Sequence, residues 1–215
     1  MGGDNIGKII AISGIDGSGK TTCARIIKEY FEQIGQKAVI IDSMKCGMFV
    51  DKMQEICSNK NESIRDFFSS NIINIAWTMD LIYIYEKVVQ DYINHGYNVI
   101  LHRSELCCRV YSHLFGSNGH IIDNILDEYD INYDLHLFLD IHPSLAYHRI
   151  VQRNCKMVTK KEEEKNLFAA ATIYKNYLNY MRYKNIHIFS VESDLNTMQN
   201  GIVEIMKKEA FNGDS

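Results

Sequence analysis

The chain has 215 residues, 46% of them apolar, with a net charge of −4. That length suits one α/β domain, or one domain with a lid, and the apolar share is enough for a full core. The negative charge excludes a broad electrostatic nucleic-acid footprint, and no apolar run approaches the length of a membrane span.

In chain order, Lys8 to Ser13 reads as a buried strand and Thr22 to Phe31 as an amphipathic helix. Gly35 ends that helix, and Lys37 to Asp42 reads as the second strand. Residues 48–58 form a short helix, and Asn59 to Glu62 a polar loop. A long helical stretch runs from about Ile64 to Asn94, interrupted near Ser69-Ser70-Asn71. Tyr97 to Leu101 is the third strand, Leu106 to Phe115 a helix, and Gly116 to Gly119 a loop. Asp134 to Asp140 is a strand. Pro143, the only proline, sits where the next helix begins, a position that tolerates its missing N–H. That helix reaches about Asn154, and a polar stretch from Lys156 to Lys165 follows. Another helix runs to about Arg182, Asn185 to Ser190 is the last strand, and residues 195–209 the last helix. This alternation predicts a five-stranded parallel sheet with crossover helices on both faces, one three-layer αβα unit over residues 1–215, with a flexible lid at about 153–165.

The six cysteines, Cys23, Cys46, Cys57, Cys107, Cys108 and Cys155, contain no C-x-x-C pair and lack zinc-site spacing. They read as reduced thiols in a cytoplasmic protein. The N-terminus lacks the basic-then-apolar pattern of a signal peptide.

Between the first strand and helix stands Gly14-Ile15-Asp16-Gly17-Ser18-Gly19-Lys20-Thr21, a full match to the phosphate-binding loop G-x-x-x-x-G-K-[ST]. Gly14, Gly17, Ser18 and Gly19 let backbone N–H groups turn inward around phosphate oxygens, and the helix N-terminus, with Thr22 in its first turn, adds positive potential. Lys20 can reach β- and γ-phosphates, and the Thr21 hydroxyl can hold Mg²⁺.

With this order of pieces the chain resembles the thymidylate kinase family of P-loop nucleoside monophosphate kinases. The likeness covers nearly the whole sequence. It is most specific at the phosphate loop, at His102-Arg103-Ser104 where the family has Asp-Arg-Tyr, at the strand ending in Asp140 ahead of Pro143, and at the Arg-rich lid. The resemblance implies ATP and Mg²⁺, a nucleoside monophosphate acceptor (dTMP or a related nucleotide), and a homodimer for which the long apolar helix is a candidate interface. It also implies roles for single residues. Arg103 would hold the acceptor phosphate, which suits its planar fork. Trp77 would stack on the acceptor base, and Asp16 would accept from the sugar 3′-hydroxyl. Leu81 falls where the family has an Arg that reads the thymine carbonyl, so Leu81→Arg should improve thymidylate use. Lys45 and Tyr111 would lie near the acceptor. Arg149, Arg153 and Lys156 would supply lid cations, because Gly17 stands where some members carry a loop Arg.

His102 replaces the family Asp and suits Mg²⁺ poorly. The metal is then held by Thr21, phosphates and water, or with help from Asp16 or Glu105. The Arg103-Ser104 pair also resembles the Glu-Arg-Ser turn of deoxynucleoside kinases, which keeps a nucleoside acceptor as the second reading. A non-catalytic nucleotide-binding protein, favoured by His102, is the third. Lys160 to Glu164 reads as a solvated charge run. Tyr174, Tyr177, Tyr180 and Tyr183 read as one helix face.

Overall fold

A computed structural model describes residues 7–43, 47–60, 62–129, 131–153, 158–180, 186–191 and 194–211. Five strands form one all-parallel sheet in the order β2-β3-β1-β4-β5: β1 (Ile9–Ser13), β2 (Ala38–Asp42), β3 (Asn98–His102), β4 (Leu135–Asp140) and β5 (Ile186–Ser190). Helices cover both faces, so the central strands are buried on both sides and read as near-continuous apolar runs. Alternation sorts their side chains. Ile9, Ala11, Val99 and Leu101 pack with Ile84, Val89 and Ile93. Their neighbours Ile10, Ile12 and Ile100 enter the larger cluster with Cys23, Ile27 and Phe31 of α1 (Lys20–Gln33).

The sheet order reverses direction at β1, with β3 on one side and β4 on the other. In open α/β sheets the ligand crevice lies outside the carboxyl ends of the strands at such a point. The turn after β1 and the turn after β3 therefore open side by side.

The long helical stretch is broken more often than its periodicity predicts. α2 (Met48–Ser58) precedes it. It then comprises α3 (Ile64–Phe67), α4 (Ser70–Tyr83), a π-helical turn over Ile84–Val89, and α5 (Gln90–Asn94). The break before α4 is capped by Ser69, whose hydroxyl accepts from the Ile72 N–H. The π turn brings Ile84 and Val89, five residues apart, onto the same sheet face, which an α-helix would place well apart.

α6 (Glu105–Phe115) is followed by α7 (Gly119–Glu128), a helix absent from the sequence-based assignment. The Arg109 guanidinium ties the two, donating to the Asp123 carbonyl at 3.1 Å and to Asp127 Oδ1 at 2.7 Å. α8 (Pro143–Arg153) starts at the proline as expected. One 3₁₀ turn at Lys160–Glu162 precedes α9 (Glu164–Tyr180), and α10 (Leu195–Phe211) closes the fold. No helix among the described residues is long and apolar enough to cross a membrane.

Candidate active site

The turn after β1 wraps tightly. Gly17 adopts φ +84°, and a Cβ on it would lie 2.5 Å from the Ala146 carbonyl oxygen of α8. A side chain fits there neither by conformation nor by space, which accounts for glycine where some family members carry Arg. Lys20, the first residue of α1, bends back over the turn. Its Nζ donates to the Gly14 carbonyl at 2.9 Å and the Ile15 carbonyl at 2.7 Å. Beneath the turn the fully buried Tyr174 hydroxyl donates to the Gly14 carbonyl at 3.4 Å. Thr21 and Thr22 line the cavity in front, of about 170 Å³, together with Asp16, Gly17, Gly19, Lys20, His102, Arg103 and Arg153. Ser18 is fully buried behind it.

Asp16 is the electrostatic centre. Its Oδ1 accepts from Arg103 Nη2 at 2.5 Å and lies 3.8 Å from Lys20 Nζ, while Oδ2 lies 3.2 Å from Lys161 Nζ. Burial pushes its pKa up, but Arg103, Lys20 and Lys161 together outweigh burial and hold it well below the usual carboxylate range. Burial, then Arg103, lowers the Lys20 pKa to about 8, with Asp16 opposing. Arg103 is raised well above the ordinary arginine value, because Asp16 outweighs its burial.

Arg103 is the one non-glycine among the described residues with positive φ, at 89°. Such a conformation persists only where the surroundings over-determine it. Here the Arg103 N–H donates to the Ile12 carbonyl, and its own carbonyl accepts from the Ser43 hydroxyl. The next residue, Ser104, caps α6 by accepting from the Leu106 N–H. Its hydroxyl lies 2.5 Å from Ser13 Oγ, which lies 2.7 Å from His136 Nε2. Burial lowers the His136 pKa to about 3, keeping the ring neutral. These three buried groups join the end of β1 and the turn after β3 to His136, near the start of β4. Nothing in the sequence pattern marks them, since they are single residues on three separate strands or turns.

A second cavity, of about 80 Å³, lies on the other side of Arg103. It is lined by Arg65, Trp77, Arg103, Cys107, Cys108, Tyr111, Phe115 and Lys161. The Arg65 guanidinium, from α3, sits 5.9 Å from both the Trp77 and Phe115 ring centroids, within reach of a cation–π contact. Arg103 borders both cavities.

A sequence profile of the thymidylate kinase family matches residues 12–202, nearly the whole chain. The chain belongs to the thymidylate kinase family. It is a phosphotransferase of the nucleoside monophosphate kinase class, drawing its phosphoryl group from ATP. A thymidylate kinase of Mycoplasma capricolum is 25% identical over 92% of this chain and 93% of its own length. One of Mesoplasma florum is 32% identical over 44% of this chain and 43% of its own length. The thymidylate kinase of Candida albicans shares the fold, with a TM-score of 0.74 at 18% identity over 95% of this chain and 92% of that one.

Against that family the expected site residues divide. Lys20, Thr21, Thr22, Asp16, Arg103 and His102 stand together at the first cavity, and Trp77 and Tyr111 at the second. Leu81 stands in neither. It is 1% exposed, packed against Ile122 and Leu126, because α7, missing from the sequence-based assignment, covers that face of α4. Arg149 also points elsewhere, donating to the Val191 carbonyl at 2.8 Å, while Arg153, one turn on, lines the first cavity. Lys45 and Lys156 lie outside the described residues.

Neither carboxylate expected to help a metal is free to do so. Asp16 is paired with Arg103 and Lys161, and Glu105 is buried and accepts from the Tyr133 hydroxyl. Burial raises the Glu105 pKa. Asp80 serves as a cap: its carboxylate accepts from the Met48, Phe49 and Val50 N–H groups at 2.8–2.9 Å, holding the N-terminus of α2.

Two residues at the site were missed from sequence. Lys161 belongs to what reads as a solvated run of charges, yet it reaches Asp16. A local signal exists: Thr159 and Glu162 form a capping box that orders this turn. Arg65 carries no local signal, since its approach to Trp77 depends on the break between α3 and α4.

Proposed function

We propose that the chain transfers the γ-phosphoryl group of ATP to dTMP or a closely related nucleotide, with a divalent ion. The observation that carries this is the position of Arg103 between a phosphate loop and an aromatic-lined pocket. In-line transfer needs the acceptor phosphate held on one side of the donor phosphates, and a guanidinium shared by both cavities does that.

Lys20 and the loop N–H groups hold the donor phosphates. Arg103 keeps one nitrogen on Asp16 and offers its remaining donors to the acceptor phosphate. That phosphate already carries an ionised oxygen, so no strong base is required. Trp77 stacks on the base, and Arg65 presents N–H donors beside it where Leu81 offers none. Lys161 and Arg153 supply positive charge over the transferring group, in place of the loop Arg that Gly17 excludes. The Thr21 hydroxyl faces the cavity next to His102 Nε2, a donor set that fits a divalent ion. When bound, the ion neutralises charge on the β and γ oxygens.

A nucleoside acceptor would need a carboxylate base at its hydroxyl. Of the two carboxylates lining the cavity, Asp16 is made a weak base by three cations and Glu162 is engaged by the Thr159 N–H and hydroxyl, so the monophosphate reading is preferred. The reading includes a cytoplasmic location, where thiols stay reduced, and the homodimer that the family resemblance implies.

The test is an ADP-release assay over nucleosides and nucleoside monophosphates. Turnover with dTMP and none with thymidine is expected. Arg103→Ala should raise the acceptor KM steeply while ATP affinity stays near normal; equal loss of both would overturn the assignment of Arg103.

A further inference from the structure

This inference rests on the phosphoryl-transfer reading and concerns the ion that accompanies the nucleotide. His102 ends β3, and its Nε2 lies 3.1 Å from Thr21 Oγ1, both lining the phosphate-loop cavity. Its Nδ1 is buried, makes no hydrogen bond, and lies 3.5 Å from Asp42 Oδ1. Asp42 is the residue paired with His102 in the register of the β2–β3 ladder. The ring thus lies between a nearby carboxylate on one side and a hydroxyl hydrogen-bonded to Nε2 on the other, with 13% of the side chain exposed.

A carboxylate that takes the Nδ1 proton's hydrogen bond leaves the Nε2 lone pair pointing away from it. With Asp42 Oδ1 3.5 Å from Nδ1, the placement approaches the carboxylate–histidine–metal arrangement of metalloenzymes, in which the outer carboxylate fixes the tautomer and raises ligand basicity. The spacing also fits. Adjacent ligands on an octahedral divalent ion, each at roughly 2.1 Å, are about 3 Å apart, and Thr21 Oγ1 and His102 Nε2 are 3.1 Å apart. Of the other nearby carboxylates, Asp16 is engaged by cations, Glu105 is buried, and Glu162, which also lines the cavity, accepts from the Thr159 N–H and hydroxyl through Oε2.

The geometry points to His102 Nε2 as a direct ligand, beside the Thr21 hydroxyl, of the divalent ion carried by the nucleotide, with Asp42 as its outer-shell partner. An imidazole ligand suits borderline ions better than Mg²⁺, which prefers an all-oxygen shell. The site therefore favours Mn²⁺ or Co²⁺ over Mg²⁺, as an aspartate at position 102 would not.

The full chain, prepared with ¹⁵N-labelled or unlabelled histidine, is loaded with Mn²⁺ and a non-hydrolysable ATP analogue for pulsed electron paramagnetic resonance. Modulation from ³¹P reports the phosphates on the ion, and modulation from histidine nitrogen reports His102. The expected spectrum shows both, and the nitrogen signal changes with the ¹⁵N label. His102→Asn should lose the nitrogen signal and keep ³¹P. Asp42→Asn should keep both and weaken Mn²⁺ about 10- to 100-fold. By calorimetry, Mn²⁺ should join the wild-type nucleotide complex at least about tenfold more tightly than Mg²⁺. A wild-type spectrum with ³¹P but no histidine nitrogen overturns the ligand assignment and leaves phosphoryl transfer standing. A spectrum without ³¹P overturns both. The wild-type spectrum decides the matter even if a variant fails to fold.

Discussion

Arg103 Nη2 and Asp16 Oδ1 lie 2.5 Å apart, so the turn after β3 and the turn after β1 are joined by one buried ion pair. In the proposed function the pair sits where donor and acceptor phosphates meet; its carboxylate also faces Lys20 and Lys161. Removing that carboxylate leaves three cations facing one another in a region with little water.

Asp16→Ala is therefore expected to destabilise the free protein by about 3–5 kcal/mol, the usual cost of breaking a buried pair. ADP or inorganic phosphate should restore more stability to the variant than to the wild type, because anions then supply the missing charge. Urea unfolding with and without phosphate measures both; an unchanged midpoint would show that the cations are not held by Asp16. The folded-state pKa of Asp16 is depressed. Its contribution is complete above the unfolded carboxylate pKa of about 3.9 and is lost as pH falls through the folded value. The variant should lack that part of the acid unfolding.

Lys20 shifts stability with pH in the same direction but in a higher window, because here it is the charged form that burial disfavours. Its folded pKa of about 8 lies below that of an unfolded lysine, near 10.4. Between these values the unfolded chain binds more protons, so stability rises with pH across that window. Burial of the ammonium is a cost present in full below pH 8 and relieved above it. Lys20→Met should flatten this slope, and Lys20→Ala should abolish transfer while leaving the fold intact. Unchanged turnover of Lys20→Ala would remove it from the donor site.

Lys161 and Arg149 should behave differently. Lys161 reaches Asp16, whereas Arg149 is tied to the Val191 carbonyl. Lys161→Met is expected to lower kcat about 10- to 100-fold with ATP affinity little changed, in line with loss of one donor at developing charge. Arg149→Met should leave kcat within about threefold of wild type. The reverse ranking in steady-state assays would put the lid charge on α8 instead.

The acceptor pocket separates two ways of recognising a base. Leu81 is buried among Ile122 and Leu126, so Leu81→Arg should cost about 3–5 kcal/mol through an unpaired buried charge and should not improve thymidylate use. Arg65→Ala should raise the dTMP KM and leave the ATP KM unchanged. Greater dTMP use by Leu81→Arg, with a normal melting temperature, would show that α7 does not cover that face.

Several links in this enzyme are local and therefore legible in one sequence. The phosphate loop needs consecutive residues of fixed type, the strand and helix beside it carry their own periodicity, and Pro143 marks a helix start through its missing N–H. Arg103 is marked by its place in the turn that resembles the family's Asp-Arg-Tyr, in keeping with the rule that strand tips line the ligand crevice. Other features depend on contacts between segments far apart in the chain. The π turn at Ile84–Val89 answers to the sheet face it covers, and α7 decides that Leu81 is core. The ring of His102 lies beside Asp42 of the neighbouring strand and is hydrogen-bonded to Thr21, 81 residues earlier. Lys161 looks solvated by composition and is drawn in by a carboxylate 145 residues away. Spacing along the chain encodes local geometry, whereas the distance between two side chains is set by how sheet and helices pack.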